Sequence, residues 1–531
     1  MVLTIVGGGA TSLAFLYNYL GQINAATAPV TTVYLVEKRG VFGAGAAYAP
    51  DVASNLLNTK AGFITPFHDR PGDFYRWLTA NPGAWRRSFP DFALDPDSYA
   101  PRPLFGLYLR KQMAALVKQA LEKNVRIIQV DAEVTDVAMV GHSYVTRTDC
   151  SLSLTSDYVF LCCGTLLAKP GAAPSPAVLA SPYPIDELAD KIPPHASVAI
   201  AGARLSCIDA VIGLIENGHT GPITIYSRSG HFPSVRGTQG RITPQVLTAA
   251  HLAELTTAKG KLRLADVVAM VAAELSHQTG AAVDAAAFAP PPPPADLADY
   301  LRREIALAQH PRPWQAVLYS TNGIIDQLWA ALADADKTEF LARHFSAFMS
   351  YRVSIPQENA RKLLAYLDAG QLSFASGPFT VQADPGARPA VTRQADGTSA
   401  EVDFVINATG SPRAVSELDS ELLANLLRRG TVVDHQFGGI AIDPDSYQVI
   451  GASGRNSRLF ALGELTTGAF FFTSALDINA RHARNCALRF AKSLEQRALA
   501  PAAEGVDEGL AAGAQNWGRA MSERRWASLA E

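Results

Sequence analysis

The residues best suited to chemistry in this chain are glycines and carboxylates rather than nucleophiles. Gly7 and Gly9 lie in the run Met1-Val-Leu-Thr-Ile-Val-Gly7-Gly-Gly9-Ala-Thr-Ser12, where a short apolar strand enters a turn and then a helix. Glycine accepts backbone angles that other residues avoid, and it lets a phosphate reach the main chain. The start of the helix adds free N–H groups and the positive end of its dipole. Ser12 holds the third small-residue position, where helix and strand pack closely. Glu37 ends the next strand. A carboxylate there can accept both hydroxyls of an adenosine ribose and disfavours a 2′-phosphate. These residues predict a site for a non-phosphorylated dinucleotide.

A second set lies near the other end of the chain. Gly463-Glu464 follows an apolar strand and precedes a helix. Such a turn can bring a carboxylate to a ribityl hydroxyl. The helix start around Thr473 to Ala475, with Ser474 at its centre, can offer N–H groups to the pyrimidine edge of a flavin. FAD therefore fits the first turn better than NAD does. Val402 to Ala408 reads as another strand, running into Thr409-Gly410, with Gly410 as a further candidate for cofactor contact.

The strand–turn–helix logic repeats at Val198-Ala-Ile-Ala-Gly202-Ala-Arg204-Leu-Ser-Cys-Ile-Asp209, with one difference. Arg204 stands where a second glycine would admit pyrophosphate. It can obstruct a nicotinamide dinucleotide or bind its phosphates in an altered pose, and both readings stay open. Ser227-Arg228-Ser229 follows the next strand. Arg228 there suits a ribose 2′-phosphate, so a nicotinamide ligand at this turn is expected to be NADPH.

Other chemistries lack support. No Ser/His/Asp arrangement and no metal-ligand spacing stands out, and no metal is expected. The five cysteines are Cys150, Cys162, Cys163, Cys207 and Cys486. They form no CxxC, and Cys162-Cys163 sits in an apolar strand, so small buried thiols are expected rather than a disulfide. A thiol set of this kind suits a reducing cytoplasm. The 46 Lys and Arg against 49 Asp and Glu leave a net charge of −3, which gives no reason to expect a nucleic-acid partner. No basic leader precedes the first strand, and no run of about 20 apolar residues predicts a membrane span. A homo-oligomer is only a general expectation for soluble proteins.

The elements that must position these residues follow from periodicity. The chain's 531 residues suffice for two or three domains. The expected class is α/β, with two Rossmann-like parallel sheets and a helical insertion. Residues 1–170 and 400–490 are assigned to a discontinuous FAD-binding domain. Residues 190–240 and 355–400 form a second, NAD(P)-binding-like domain. Residues 241–354 form a mainly helical insertion, and 491–531 a tail in which Trp517 and Trp526 are possible anchors. Five prolines, Pro290 to Pro294, predict an exposed loop or disorder.

The chain resembles the FAD–NAD(P)-binding proteins related to two-dinucleotide-domain flavoprotein monooxygenases, a group that includes bacterial amino-acid N-hydroxylating enzymes. The resemblance rests on Gly7-Gly-Gly-Ala-Thr-Ser12, Gly43-Ala-Gly45-Ala-Ala-Tyr48, Leu56-Leu-Asn58, Arg102-Pro-Leu-Phe-Gly106-Leu-Tyr108 and Gly202 to Asp209. It extends to Ser227-Arg-Ser-Gly230, Ala408-Thr-Gly410 and Leu462-Gly-Glu464. It implies that Gly43, Gly45 and Asn58 line the flavin. His68 is a candidate general base in a segment that covers the ring, because its ordinary pKa lies near 6.5. Arg352, in a basic segment that ends at Pro356, is a candidate for a substrate carboxylate. Arg204 departs from the glycine of the family pattern.

The implied activity is NADPH-dependent hydroxylation of the nitrogen of a small amine or amino acid, through a flavin C4a-hydroperoxide. Two alternatives stand beside it. One is a flavin oxidase or dehydrogenase reduced directly by its substrate. The other is a catalytically quiet FAD-binding scaffold or partner subunit.

Overall fold

Alternating β-branched and aliphatic runs build two parallel sheets in the computed structural model, which describes residues 1–24, 29–170, 175–288, 292–384 and 386–499. The first sheet orders its strands Gln448–Gly451, Gly454–Ala461, Tyr158–Leu161, Val2–Val6, Thr32–Glu37 and Arg126–Asp131. All its pairings are parallel except that of the first two. The second runs Leu372–Ser376, Ile223–Ser227, Val198–Ala201, Phe404–Asn407 and Val178–Leu179, parallel throughout. Two small antiparallel sheets flank them, at Val134–Ser156 and Phe379–Glu401.

The fold is thus α/β, with two Rossmann-like units plus helices. One boundary differs from the sequence expectation. Phe404–Asn407 pairs with Val198–Ala201 in the second sheet, so the first domain does not resume at residue 400, and Gly410 follows a strand of the second sheet. A four-residue apolar strand carries no mark of the sheet it will join. The short strand Val178–Leu179 also joins the second sheet, ahead of the expected start at 190.

The first domain is closed by distant parts of the chain. Helix Leu476–Leu499 packs along helix Ala10–Gln22. Phe15 meets Phe160 with ring centroids 4.4 Å apart, and Phe160 stacks on Phe460 at 4.5 Å and meets Phe490 at 5.1 Å. These aromatic pairs bind the first strand's layer to the last helix. Between strands Ile223–Ser227 and Leu372–Ser376 of the second sheet the chain runs through helices Ala249–Lys259, Leu264–Thr279, Leu297–Leu307, Pro313–Ser320, Ile325–Ala331 and Phe345–Arg352.

Cys162, Cys207 and Cys486 are buried, and all five thiols are free. Burial pushes the Cys162 and Cys163 thiols up to about 12. Ala289 with the first two prolines of the run, 290–291, and the tail from 500, including Trp517 and Trp526, lie outside the described residues. Among those described, no helix is long and apolar enough to cross a membrane, and no cluster of potential metal ligands occurs.

Candidate functional site

The first turn stands at the end of the central strand Val2–Val6, where neighbouring strands depart to opposite sides. Such a switch point opens a crevice for a ligand. Gly7 has φ +100°, and its N–H donates to the Val36 carbonyl at 2.8 Å. A Cβ there would lie 2.1 Å from the Cys162 carbonyl oxygen, so glycine is obligatory on two grounds. Gly8 N–H donates to Glu37 Oε2 at 2.8 Å, and Arg39 N–H approaches Oε1 at 3.3 Å. Glu37 is only 7% exposed, and it keeps acceptor capacity for a ribose after holding the turn. Buried Ser12 donates its hydroxyl hydrogen to the Gly7 carbonyl at 2.5 Å.

Gly43 and Gly45 complete this cradle. Gly43 N–H donates to the Gly8 carbonyl at 2.6 Å. A Cβ on Gly45 would stand 3.0 Å from the Cα of Gly9. The two glycine backbones therefore face each other without side chains between them. Gly463, φ +78°, lies beside Thr11 at the start of the same helix, so the C-terminal turn reaches the first. Burial raises the proton affinity of the adjoining Glu464, while Thr473 and Arg413 oppose the rise.

The second turn repeats the first almost residue for residue. Gly202 has φ +112°, its N–H donates to the Tyr226 carbonyl at 2.8 Å, and a Cβ would lie 2.5 Å from the Ala408 carbonyl oxygen. Strand register places Ser227 where the first unit has Glu37. Cys207 takes the place of Ser12. Arg204 takes the place of Gly9, and both precede their helices in extended conformation, at φ −106°, ψ −164° and φ −82°, ψ −164° respectively. Extended backbone admits any side chain, so Arg204 is unstrained.

The Arg204 side chain leans on a helix of the insertion. Its guanidinium lies 5.2 Å from the centroid of the Phe345 ring and 3.4 Å from Ser346 Oγ. Arg413 approaches the same ring at 5.4 Å. Phe345 thus links the second turn to the Glu464 turn of the first domain. Burial and the neighbouring Arg228 both lower the affinity of Arg204 for its proton. Arg228 itself is exposed.

Asn58, His68 and Ser474 are less constrained. Asn58 is half-buried, and Thr59 Oγ1 lies 3.5 Å from its Oδ1. His68 is exposed, and partial desolvation with Arg484 and Arg481 holds it below the usual histidine range. Ser474 is exposed just ahead of helix Leu476–Leu499. Arg352 is almost fully buried, at 1% exposed, and donates to Asn322 Oδ1.

Several residues and long-range pairings escaped the sequence reading. Phe471 has φ +65°, a conformation rare for a bulky residue, and stacks on Trp329 at 4.8 Å. Trp329 Nε1 in turn donates to the Gly468 carbonyl at 2.8 Å, which fixes the segment that leads to Thr473. Arg102 of the first domain meets Asp209 of the second at 2.6 Å, with the Tyr183 hydroxyl 2.5 Å from the same carboxylate. Asp51 accepts from the N–H groups of Ile185 and Asp186 at the start of a second-domain helix. No local pattern marks such pairs, because their partners lie far apart in sequence.

Residues 4–166 match a family described as FAD-NAD(P)-binding. An L-aspartate N-monooxygenase (nitrosuccinate-forming) from Streptomyces davaonensis is 27% identical over 318 residues, 48% of this chain and 48% of that protein. The match thus spans about half the length of that curated relative. Ornithine N-hydroxylase from Kutzneria sp. 744 shares the fold with TM-score 0.55 at 15% identity, covering 94% of this chain and 99% of that one. L-lysine 6-monooxygenase from Pseudomonas syringae gives 0.52 at 15% identity over the same shares. At these identities the two structures show a common fold. The family match is thus confined to residues 4–166, while the overall fold is shared with these two structures along nearly the whole chain.

Proposed function

We propose that the chain is an FAD-dependent monooxygenase that takes electrons from NADPH and hydroxylates the nitrogen of a small amine or amino acid. The carrying observation is the pair of superposable turns with different chemistry: a glycine cradle with Glu37 in the first, Arg204 and Arg228 without a carboxylate in the second. The 27% identity to an aspartate N-monooxygenase supports the reaction class.

The residues of the first turn fit FAD. Gly7 and Gly9 leave the main chain open at a helix start, and Gly45 keeps the facing wall free of Cβ atoms. Glu37 would receive the adenosine ribose. Glu464, a half-buried carboxylate whose proton affinity desolvation raises, would gain a hydrogen-bond donor from a ribityl hydroxyl. FAD, when bound, supplies the store for two electrons and the activation of O₂.

The protein's own part is binding, orientation and exclusion of water. Arg204 would meet the pyrophosphate of NADPH beside the N–H groups of helix Leu205–Glu216, and Arg228 its 2′-phosphate. The Arg102–Asp209 pair holds the two domains in one orientation. Phe471 and Phe472, both buried, shield the segment ahead of the C-terminal helix. The high proton affinity of Cys162 and Cys163 keeps both thiols neutral beside the cradle.

Anaerobic spectroscopy tests the reading. Bleaching of bound flavin by NADPH, followed on aeration by an N-hydroxylated product, is expected. Bleaching by an amine alone would replace it with an oxidase, and protein without flavin would overturn both.

A further inference from the structure

We propose that Arg352 and Arg236, gathered on the ring of Tyr319, form the recognition site for a substrate with two carboxylates: an acidic amino acid rather than a diamine. The proposal rests on the N-hydroxylase reading and gives its substrate class. Arg352 Cζ lies 5.0 Å from the Tyr319 ring centroid and Arg236 Cζ 4.3 Å. Arg352 also lies 5.1 Å from the ring of Phe472, one residue before Thr473 in the segment ahead of helix Leu476–Leu499.

The charge balance points to an anion. Neither guanidinium has a carboxylate within 4.0 Å among the described residues. Arg352 is 1% exposed, and its Nε is buried with no hydrogen-bond partner among the described residues. Its Nη2 donates to Asn322, whose amide is committed to Asp477 Oδ2 at 2.8 Å. Arg236 donates to Ser354 Oγ at 2.9 Å and to the Tyr319 hydroxyl, both neutral. Buried charges in folded proteins are normally paired, and breaking such pairs is costly. Asp477 acts on Arg352 at longer range, yet neither the buried Arg352 nor the half-buried Arg236 has a carboxylate in contact among the described residues, so the pair suits a ligand that brings negative charge.

The cluster is assembled from every part of the molecule. Tyr99 of the first domain lies beside Arg236, and Arg241 covers the ring of Phe63 at 4.6 Å at an exposed lip. Tyr319, Asn322 and Arg352 come from the helical insertion, and Phe472 from the segment that closes the first domain. Each guanidinium offers a planar fork that matches a carboxylate. A single arginine would suffice for the α-carboxylate common to all amino acids. A second beside it favours a second carboxylate, and it repels the side-chain ammonium of a diamine.

Calorimetric titration of the FAD-loaded protein tests this without turnover, with L-aspartate, succinate and L-ornithine as probes. Aspartate and succinate are expected to bind and L-ornithine to bind at least 10-fold more weakly. Arg236→Gln and Arg352→Gln are each expected to weaken diacid binding about 10- to 100-fold. Arg352→Lys, which keeps the charge in the buried position, guards against simple misfolding and is expected to recover part of the loss. Ornithine binding as tight as that of aspartate, or diacid binding untouched by Arg236→Gln, would overturn the proposal. Diacid binding by a protein whose flavin NADPH cannot reduce would instead overturn the monooxygenase reading and leave the site standing.

Discussion

The two dinucleotide turns share a backbone and differ in what they present to a ligand. Gly7 and Gly202 have the same left-handed φ, the same N–H partner on the adjacent strand and the same abutting carbonyl on the other side. Glycine is indispensable at that first position. Two residues later the backbone is extended in both units, so the fold tolerates glycine in one and arginine in the other. Arg204 therefore imposes no backbone strain on the turn. Its side chain leaves the turn for Phe345 and Ser346. Backbone shape and side-chain chemistry are thus set at different positions of one motif.

The largest effect expected from that division is at the shared glycine. Gly7→Ala puts a Cβ into the Cys162 carbonyl at φ +100° and is expected to cost about 3–5 kcal/mol, with loss of bound flavin. Gly202→Ala is expected to cost a similar amount while flavin absorbance persists. Thermal unfolding and flavin content measure both, and loss of flavin from both variants would break the separation of the two sites. A smaller effect is expected at the strand ends. Ser227→Glu copies the Glu37 arrangement beside Arg228 and is expected to reduce the preference for NADPH over NADH about 10- to 100-fold. Comparison of the two donors in flavin reduction checks it, and an unchanged ratio would remove the strand end from donor choice.

The parts legible in sequence were those with local signatures. Val2–Val6, the glycine turn and Glu37 announce themselves within forty residues of chain, and the second turn repeats the pattern. The helical insertion was legible from its apolar period. What stayed hidden was pairing at long range. Phe404–Asn407 carries no mark of the sheet it joins. Arg236 and Tyr319 are 83 positions apart, and neither stands in a motif. Arg352 was visible only as a basic residue in a recognisable segment. Its burial and its unpaired Nε are properties of the folded chain. The unusual φ of Phe471 is likewise set by Trp329 packed against it rather than by its own type.

The central claim is that Arg204 receives a dinucleotide rather than blocking one. Its most direct test is the concentration dependence of anaerobic flavin reduction by NADPH, in the native protein and in Arg204→Ala. The account predicts saturable reduction in the native protein and a requirement for about 10-fold more NADPH in the variant, at unchanged flavin content. Reduction that is absent in the native protein and appears in Arg204→Ala would contradict it.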